Sequence, residues 1–140
     1  MRDKSFLDTN ILIYSLDRRD LVKSTKADAL VLDGLTSGKG VISFQVVQEF
    51  LNVALSKLAT PMTLGDAERY MAKVLMPMFR VYPSHSLYSE ALRLHSLNKI
   101  SWYDSLIVCA AREAGCAILY SEDLQHGQRF GNLRVVNPFL

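Results

Sequence analysis

Apolar and polar residues alternate along the chain in blocks that predict short strands followed by longer helices. The predicted strands span residues 4–7, 40–43, 79–82, 116–120 and 133–136. The predicted helices span residues 22–35, 44–58, a segment that opens at Thr63, 86–97 and 101–114. Strands that alternate with helices imply crossover connections, since parallel neighbours cannot be joined by a tight turn. The pattern therefore predicts an α/β fold with a central, mostly parallel β-sheet flanked by helices on both faces.

Capping residues define several helix ends more sharply than the hydrophobic pattern does. Thr63 and Asp66 have the spacing of a capping box, and Pro77 is predicted to end the same helix. Ser101 is the predicted N-cap of the helix at 101–114, and Gly115 is expected to end it. These signals divide the second half of the chain into separate elements.

Two segments in the first half of the chain are interpreted from their polarity alone. Residues 11–16, with the sequence ILIYSL, are interpreted as an apolar turn after the first strand. The predicted buried stripe of the helix at 44–58 consists of Val47, Leu51, Ala54, Leu55 and Leu58. The opposite side of this helix is polar and is expected to face solvent, with Gln45, Gln48, Glu49 and Asn52.

Length and composition are those of one globular domain, predicted to span residues 1–140. A hydrophobic content of 49% with 21% charged residues argues against disorder. Charges in the N-terminal segment MRDKSFLDTN argue against a signal peptide, and no stretch is long and apolar enough to span a bilayer. We expect a cytoplasmic protein with no membrane partner, whose Cys109 and Cys116 are reduced and packed rather than paired.

Four acidic residues, far apart in sequence, each stand beside an apolar segment: Asp8 in FLDTN, Glu49 in VVQEFL, Asp104 in SWYDSLIV and Asp123 in ILYSEDLQHG. A carboxylate against apolar surroundings is costly unless a cation compensates it. Asp8 and Asp123 follow predicted strands, and functional groups in open parallel sheets gather at the carboxyl ends of the strands. We therefore expect the four carboxylates to share a hard divalent cation, which makes metal-assisted phosphodiester hydrolysis the leading hypothesis.

The helical positions of Asp104 and Glu49 favour different orientations, towards the core for Asp104 and towards solvent for Glu49. Asp104 follows the cap residue Ser101 by three positions and can complete a capping box. Its helical position nevertheless lies in the apolar arc, between Val108 and Ala111, which favours a metal ligand. Glu49 lies on the polar side of its helix, so on its own it is interpreted as a solvated residue.

Asp8 and the segment SED also have structural alternatives. Asp8 can cap the turn that follows it, because D-T-N is good turn chemistry. In SED, Glu122 competes with Asp123 for the inward position. Strand alternation continued past Tyr120 puts Ser121 and Asp123 on one side and Glu122 on the other. We therefore favour Asp123 as the ligand, with Ser121 supporting it through hydrogen bonds.

These segments resemble a known family. The set FLDTN, QEF, WYDSLI and SED, in this order and at this spacing, resembles the PIN domain over essentially the whole chain, and within it the VapC toxins of VapBC toxin–antitoxin pairs. The resemblance implies an endoribonuclease that depends on Mg²⁺ or Mn²⁺. Its implied catalytic and metal-binding residues are Asp8, Glu49, Asp104 and Asp123. Its implied supporting residues are Thr9, Asn10 and Ser121.

The resemblance also implies partners: an RNA substrate, a VapB-like antitoxin whose C-terminal segment blocks the acidic cleft, and a second copy of the chain in a homodimer. A net charge of +2 alone does not indicate a nucleic-acid-binding protein. If a metal neutralises the four acids, 16 basic residues remain against 14 − 4 = 10 acidic ones, and this surplus of +6 can attract a polyanion. The candidate RNA contacts, for which a solvated surface role is the alternative, are Arg18, Arg19, Lys23 and His126.

Three other functions were weighed against ribonuclease activity. A phosphotransferase of the haloacid-dehalogenase type needs a second aspartate two positions after the first, and Asn10 occupies that position. A receiver domain needs a paired acid before its phosphoacceptor and a lysine after a late strand, and neither pattern is evident. The remaining alternative is a catalytically silent PIN-fold module that binds nucleic acid or protein. Chelator-sensitive cleavage of RNA distinguishes the enzyme from this module.

Overall fold

The predicted sheet is present in the computed structural model, which describes residues 3–140. Its strands within that range are β1 (Ser5–Leu7), β2 (Gly40–Ser43), β3 (Phe79–Val81), β4 (Ile118–Tyr120), β5 (Arg129–Phe130) and β6 (Leu133–Val136). They lie in the order β3-β2-β1-β4-β6-β5, with β5 antiparallel to β6 and the other neighbours parallel. The chain runs outwards from β1 to β3 and then crosses to β4 on the other side of β1. Such a switch point opens a crevice at the carboxyl ends of the strands.

The helices follow the predicted order, with one addition before the first predicted helix. Within residues 3–140 they are α1 (Thr9–Leu16), α2 (Leu21–Ser37), α3 (Phe44–Ser56), α4 (Leu64–Tyr70), α5 (Met76–Met78), α6 (His85–Leu97) and α7 (Trp102–Glu113), with a π-helical segment at Met71–Leu75. Consecutive strand residues point to opposite faces of a sheet. Phe6 and Leu7 of β1 and Val41 and Ile42 of β2 are all at most 2% exposed, so both faces are covered. The predicted α/β architecture is confirmed.

Two predictions about helices were wrong. Residues 9–16 form α1 rather than an apolar turn, and the Asp8 side chain caps this helix by accepting a hydrogen bond from the Thr9 amide. Pro77 does not end its helix but lies within α5. Proline has no N–H to donate, and the π-helical segment directly before α5 already changes the bonding pattern, with the Met76 amide donating to the Met71 carbonyl.

The capping residues were predicted correctly. Thr63 Oγ1 accepts from the Asp66 amide at 3.1 Å, and Asp66 Oδ2 accepts from the Thr63 amide at 3.3 Å, which completes the capping box of α4. Ser101 Oγ accepts from the Asp104 amide at 3.0 Å and caps α7. Gly115 follows Ala114, the C-cap of that helix, with φ of 74°, in the left-handed region that favours glycine.

The buried side of α3 differs from the predicted stripe. Leu55 is 50% exposed rather than buried, and Gln45 is buried rather than solvated. The buried residues of this helix are Gln45, Val46, Phe50 and Ala54. Their spacing shows that the core-facing side is rotated by about one residue from the predicted one. The largest of them, Phe50, stacks on Tyr70 with ring centroids 4.6 Å apart.

Gly40, at the start of β2, lies against Gly34 of α2. A Cβ added at Gly40 would stand 2.7 Å from the Gly34 Cα, a backbone atom that cannot rotate away. We expect Gly40→Ala to lower the free energy of unfolding by about 1–3 kcal/mol, as in other overpacked cores. Gly65→Ala in α4 is the control, because its Cβ would meet side-chain atoms of Arg69 and Thr63 no closer than 3.5 Å, and alanine favours helix. Urea unfolding of both variants measures the difference, and a Gly40→Ala variant as stable as the native chain contradicts the prediction.

The two cysteines behave as predicted. Cys109 and Cys116 are buried and unpaired. Burial raises the pKa of the Cys116 thiol to about 12, against a smaller opposing effect of Lys4, so the thiol stays protonated and unreactive. Separately, none of the helices between residues 3 and 140 combines the length and hydrophobicity that a transmembrane segment requires.

Candidate active site at the carboxyl ends of the central strands

Asp8 lies directly after β1, at the centre of the sheet. Its amide donates to the Tyr120 carbonyl of β4 at 3.0 Å, which continues the pairing of the two strands by one residue. Its side chain is 4% exposed. The sequence places an acid here because β1 ends where α1 begins, and an N-cap aspartate with extended backbone makes that transition. Asp8 therefore both caps α1 and has a buried side chain, so the two roles considered for it in the sequence are compatible.

Both oxygens of the Asp8 carboxylate accept hydrogen bonds. Oδ1 accepts from the Thr9 amide at 2.8 Å, and Oδ2 accepts from the Ser121 hydroxyl at 2.7 Å. Ser121 Oγ in turn accepts from the Asp123 amide at 3.2 Å. The fully buried Ser121 thus links the segment after β4 to the end of β1. Ser121 supports Asp8 directly, and it contacts Asp123 only through the backbone of that residue.

Glu49 of α3 is directed at the same edge of the sheet. Thr9 Oγ1 donates to Glu49 Oε1 at 2.8 Å. Gln45 Nε2 lies 3.4 Å from Glu49 Oε2 and 3.3 Å from the Tyr103 carbonyl, so it joins α3 to α7. Glu49 is half-buried, and its interpretation as a solvated residue was wrong. On this side of the helix, Gln45 and Glu49 are covered, whereas Gln48 and Asn52 are exposed.

Asp104 and Asp123 line one cleft of about 420 Å³, together with Lys99, Ser101 and Gln128. Asp104 is half-buried in the first turn of α7, while Asp123 is exposed. Ser101 Oγ accepts from the Asp104 amide, and the Ser101 hydroxyl also interacts with the Asp104 carboxylate. The aromatic neighbour Tyr103 is 63% exposed beside this cleft.

The four carboxylates influence one another electrostatically. Burial raises the pKa of Asp8 to about 6; hydrogen bonds from Ser121 and Thr9 oppose this effect, while the charges of Asp123 and Glu49 add to it. Burial likewise raises the pKa of Asp104, opposed by Ser101 and increased by the same two acids, Asp123 and Glu49. Glu49 and Asp123 therefore act on both aspartates, as expected of groups around one crevice.

The raised pKa of Asp8 predicts a pH-dependent stability. The folded state binds the Asp8 proton more tightly than the unfolded state, in which the pKa is near 3.8. The contribution of Asp8 to the free energy of unfolding is therefore greatest below the unfolded pKa and is lost as pH rises through about 6. Between about pH 5 and pH 7.5, this one group should cost about 1 kcal/mol. Urea unfolding of the native chain and Asp8→Asn at both pH values measures the difference. Parallel pH profiles for the two proteins contradict the prediction.

Asn10, a predicted supporting residue, is half-buried in the first turn of α1. His126, a candidate RNA contact, is exposed in the loop that follows Asp123. His126 Nδ1 accepts a hydrogen bond from the Asn137 amide at 3.0 Å. In the neutral ring the proton is therefore on Nε2.

Arg18 and Arg19 are exposed after the far end of α1. Arg19 Nη2 lies 2.7 Å from Asp17 Oδ2, and Arg18 Nη1 donates to Ser24 Oγ at 2.8 Å. The eight residues of α1 separate them from Asp8 by about 12 Å along the helix axis. Both arginines line a different cleft, of about 380 Å³. The structure does not bring these two side chains to the carboxylates.

Lys23 and Glu122 form an ion pair, with Nζ 2.7 Å from Oε1. Burial raises the pKa of Glu122, but hydrogen bonds with Lys23 and Tyr14 outweigh burial and hold it below its ordinary value. Glu122 is therefore charged and bound to a lysine rather than directed at Asp8. Glu122 thus points away from the crevice, as favoured above, although the strand ends at Tyr120 and the chain bends at residues 122–124 instead of alternating as a strand.

Sequence reasoning missed Gln45 and Lys99. Gln45 binds Glu49, and their spacing of four residues on one helix was a usable signal. Lys99 lines the cleft of Asp104 and Asp123. No local pattern marks Lys99, because it lies in the short connection between α6 and α7 and reaches the cleft only through the tertiary fold.

The donor set suits a hard divalent cation. The four acids offer oxygen atoms only, and the charges that act on Asp8 and Asp104 are those of other carboxylates, which a cation would neutralise. Among the described residues, no three acidic, histidine or cysteine side chains are grouped closely enough to hold an ion directly. Mg²⁺ keeps several waters and takes only one or two protein carboxylates directly. The residues fit an ion that is bound partly through water.

Fold and site together define an α/β domain with acidic side chains around the crevice at its switch point. The chain matches the model of the PIN domain family over residues 5–129 and belongs to that family. The predicted resemblance is confirmed. No curated protein sequence matches the chain.

Several solved structures of toxin–antitoxin proteins have the same fold. A toxin–antitoxin complex from Klebsiella pneumoniae contains a chain with 17% identity and a TM-score of 0.64, in a match that covers 96% of this chain and 98% of that one. The sarcin–ricin loop cleaving toxin VapC20 of Mycobacterium tuberculosis has 18% identity and a TM-score of 0.59, covering 84% and 88%. VapBC2 from Rickettsia felis, bound to a DNA fragment from its promoter, has 19% identity and a TM-score of 0.57, covering 94% and 96%. At these identities the likeness establishes a common fold.

Proposed function

We propose that this protein is an Mg²⁺- or Mn²⁺-dependent endoribonuclease, the toxin of a VapBC-type pair. The single observation that carries the proposal is the position of Asp8. This buried carboxylate ends the central strand, its pKa is raised to about 6, and the acids that act on it, Asp123 and Glu49, come from distant parts of the chain. Carboxylates brought together without a neutralising base are costly, and binding a divalent cation removes that cost.

The residues that would hold the metal are Asp8, Glu49, Asp104 and Asp123. When bound, such an ion supplies an activated water as nucleophile and neutralises charge at the phosphate. The chain itself contributes orientation: Thr9 fixes Glu49 through its hydroxyl, and Ser121 fixes Asp8. Hydrolysis with water as the attacking group would leave a 5′-phosphate and a 3′-hydroxyl, as the family also implies.

RNA is the proposed substrate because a cleft of acidic ligands beside Lys99 suits a phosphodiester and because the sarcin–ricin loop is cleaved by a toxin of the same fold. Arg18, Arg19 and His126 are further proposed contacts to RNA phosphates. Arg19 and Lys23 would have to leave Asp17 and Glu122 to reach a phosphate, which makes Lys99 the stronger candidate.

The proposed partners are a VapB-like antitoxin and a second copy of the chain. The likeness to toxin–antitoxin complexes from Klebsiella pneumoniae and Rickettsia felis supports the antitoxin. An antitoxin segment that covers the cleft would meet Asp104 and Asp123, so a basic side chain in that segment would fit the charge of the cleft. The same fold without activity would serve as a binding module, and the following experiment distinguishes the two.

Purified protein should cleave RNA only in the presence of divalent metal. We expect cleavage with Mn²⁺ or Mg²⁺, complete loss with EDTA, and recovery when excess Mn²⁺ is added back, because the proposed nucleophile is a water activated by the metal. Gel analysis of labelled RNA, with mapping of the 5′-phosphate ends, measures this result. Cleavage that persists in EDTA contradicts the metal-dependent mechanism, and a metal-loaded protein without any cleavage favours the binding module.

A further inference from the structure

Lys23 is the centre of a four-residue cluster beside the acidic crevice, which we name the Lys23 cluster: Tyr14, Lys23, Glu122 and Phe139. The Lys23 ammonium lies 2.7 Å from Glu122 Oε1, 4.7 Å from the centroid of the Tyr14 ring and 5.5 Å from that of Phe139. The two rings meet edge to face, with centroids 5.1 Å apart. The cluster therefore combines an ion pair with cation–π contacts.

The cluster joins two consecutive helices near the start of the chain to two segments near its other end. Tyr14 belongs to α1, Lys23 to α2, Glu122 to the segment after β4, and Phe139 to the end of the chain. Glu122 stands between Ser121, which donates to the Asp8 carboxylate at 2.7 Å, and Asp123. Any movement of Glu122 is therefore transmitted to both neighbours through the backbone.

The Lys23–Glu122 pair differs from the other ion pairs that the described residues form. It spans 99 positions of sequence, and its side chains are 29% and 28% exposed. The Arg93–Glu90 pair, at 2.8 Å, lies within one helix turn, with side chains 68% and 59% exposed. Glu122 Oε2 is buried without a hydrogen-bond partner, so the carboxylate depends on the contacts of its other oxygen.

We propose that Lys23 is a positioning residue, whose ammonium holds Glu122 on the side of the segment opposite to the crevice and so directs Ser121 and Asp123 at Asp8. The chain bends at residues 122–124, and the Asp123 amide donates to Ser121 Oγ across Glu122, so the position of Glu122 is tied to both of its neighbours. The proposal rests on the proposed function insofar as it treats Asp123 as a metal ligand. It assigns Lys23 a role other than phosphate binding.

Calorimetric titration of the full chain with Mn²⁺ tests the role in metal binding. Loss of a group that orients a ligand typically weakens metal binding by about 10–100-fold, so we expect Lys23→Met to raise the Mn²⁺ dissociation constant about 10-fold. Lys23→Arg should bind nearly as the native chain does, since arginine keeps the charge and stacks on aromatic rings. Arg93→Met is the matched control and should bind normally. A Lys23→Met variant with native Mn²⁺ affinity overturns the proposal. This holds even if the variant binds RNA more weakly, because that result would indicate phosphate binding by Lys23 instead.

Hydrogen exchange without metal tests the positioning itself. The Ser121 amide donates to the Val136 carbonyl at 3.1 Å, and the Asp123 amide donates to Ser121 Oγ. In Lys23→Met, both amides should exchange at least about 10-fold faster than in the native chain, while the amides of α6 exchange at the native rate. In Lys23→Arg, both amides should exchange at nearly the native rate. Unchanged exchange overturns the proposal. A native chain that binds no Mn²⁺, together with faster exchange in Lys23→Met, supports the positioning role and contradicts the proposed function instead.

Discussion

Asp8→Asn should abolish RNA cleavage and leave the protein folded. Residues that merely orient a metal ligand typically change metal affinity or activity by about 10–100-fold, so loss of the central carboxylate should cost more than about 100-fold. The fold should survive because asparagine has nearly the same shape and can still accept the Thr9 amide bond. Neutralising a buried carboxylate whose pKa is already raised also removes a desolvation cost.

Cleavage rates at saturating Mn²⁺ and circular dichroism measure the two parts of this expectation. Asp28→Asn is the matched control, since Asp28 is an exposed aspartate on α2 outside the crevice, and this variant should cleave normally. Native turnover by Asp8→Asn refutes the assignment of the site. An unfolded Asp8→Asn variant shows instead that the cap of α1 requires the charged side chain.

Asp104→Asn should also reduce cleavage by more than about 100-fold, because it removes a second carboxylate from the crevice. The change in stability should stay within about 1 kcal/mol, the usual worth of an acid in the first turn of a helix. The Asp104 amide, and not its carboxylate, makes the cap bond to Ser101, so the substitution leaves that bond intact.

Ser101→Ala provides the reciprocal test. Loss of the cap hydroxyl should cost about 1 kcal/mol of stability, while most of the cleavage rate remains. Glu113→Gln, at the other end of α7, should change neither quantity. Rate measurements combined with thermal unfolding separate the two roles. If Asp104→Asn lost stability but kept its cleavage rate, the capping interpretation of Asp104 would be correct and the ligand interpretation wrong.

The parts of the site that follow from local rules were predictable from sequence. A strand followed by D-T-N places Asp8 at the carboxyl end of β1, and its N-cap role follows from the same three residues. Cap residues such as Thr63 and Ser101 fix helix starts through bonds that span only three positions. These features depend on neighbours within one turn of chain, which a single sequence displays.

The missed features depend on contacts between distant segments. Glu49 lies on the polar side of α3, where Gln48 and Asn52 are exposed, but Glu49 itself accepts a hydrogen bond from Thr9 of α1. The helix α1 was missed because it is only eight residues long and packs against both α2 and α3. A short helix with neighbours on two sides lacks the single apolar stripe by which helices are recognised. The two-residue strand β5 is too short to have a pattern.

The hydrogen bond between Ser121 and Asp8 joins positions 113 residues apart. During synthesis, the first half of the chain emerges with Asp8 and Glu49 but without Ser121, the serine that orients Asp8. A nascent protein therefore cannot assemble the crevice until translation has passed position 121. If the chain is the proposed ribonuclease, made beside ribosomal and messenger RNA, this order of assembly delays its activity until the polypeptide is nearly finished.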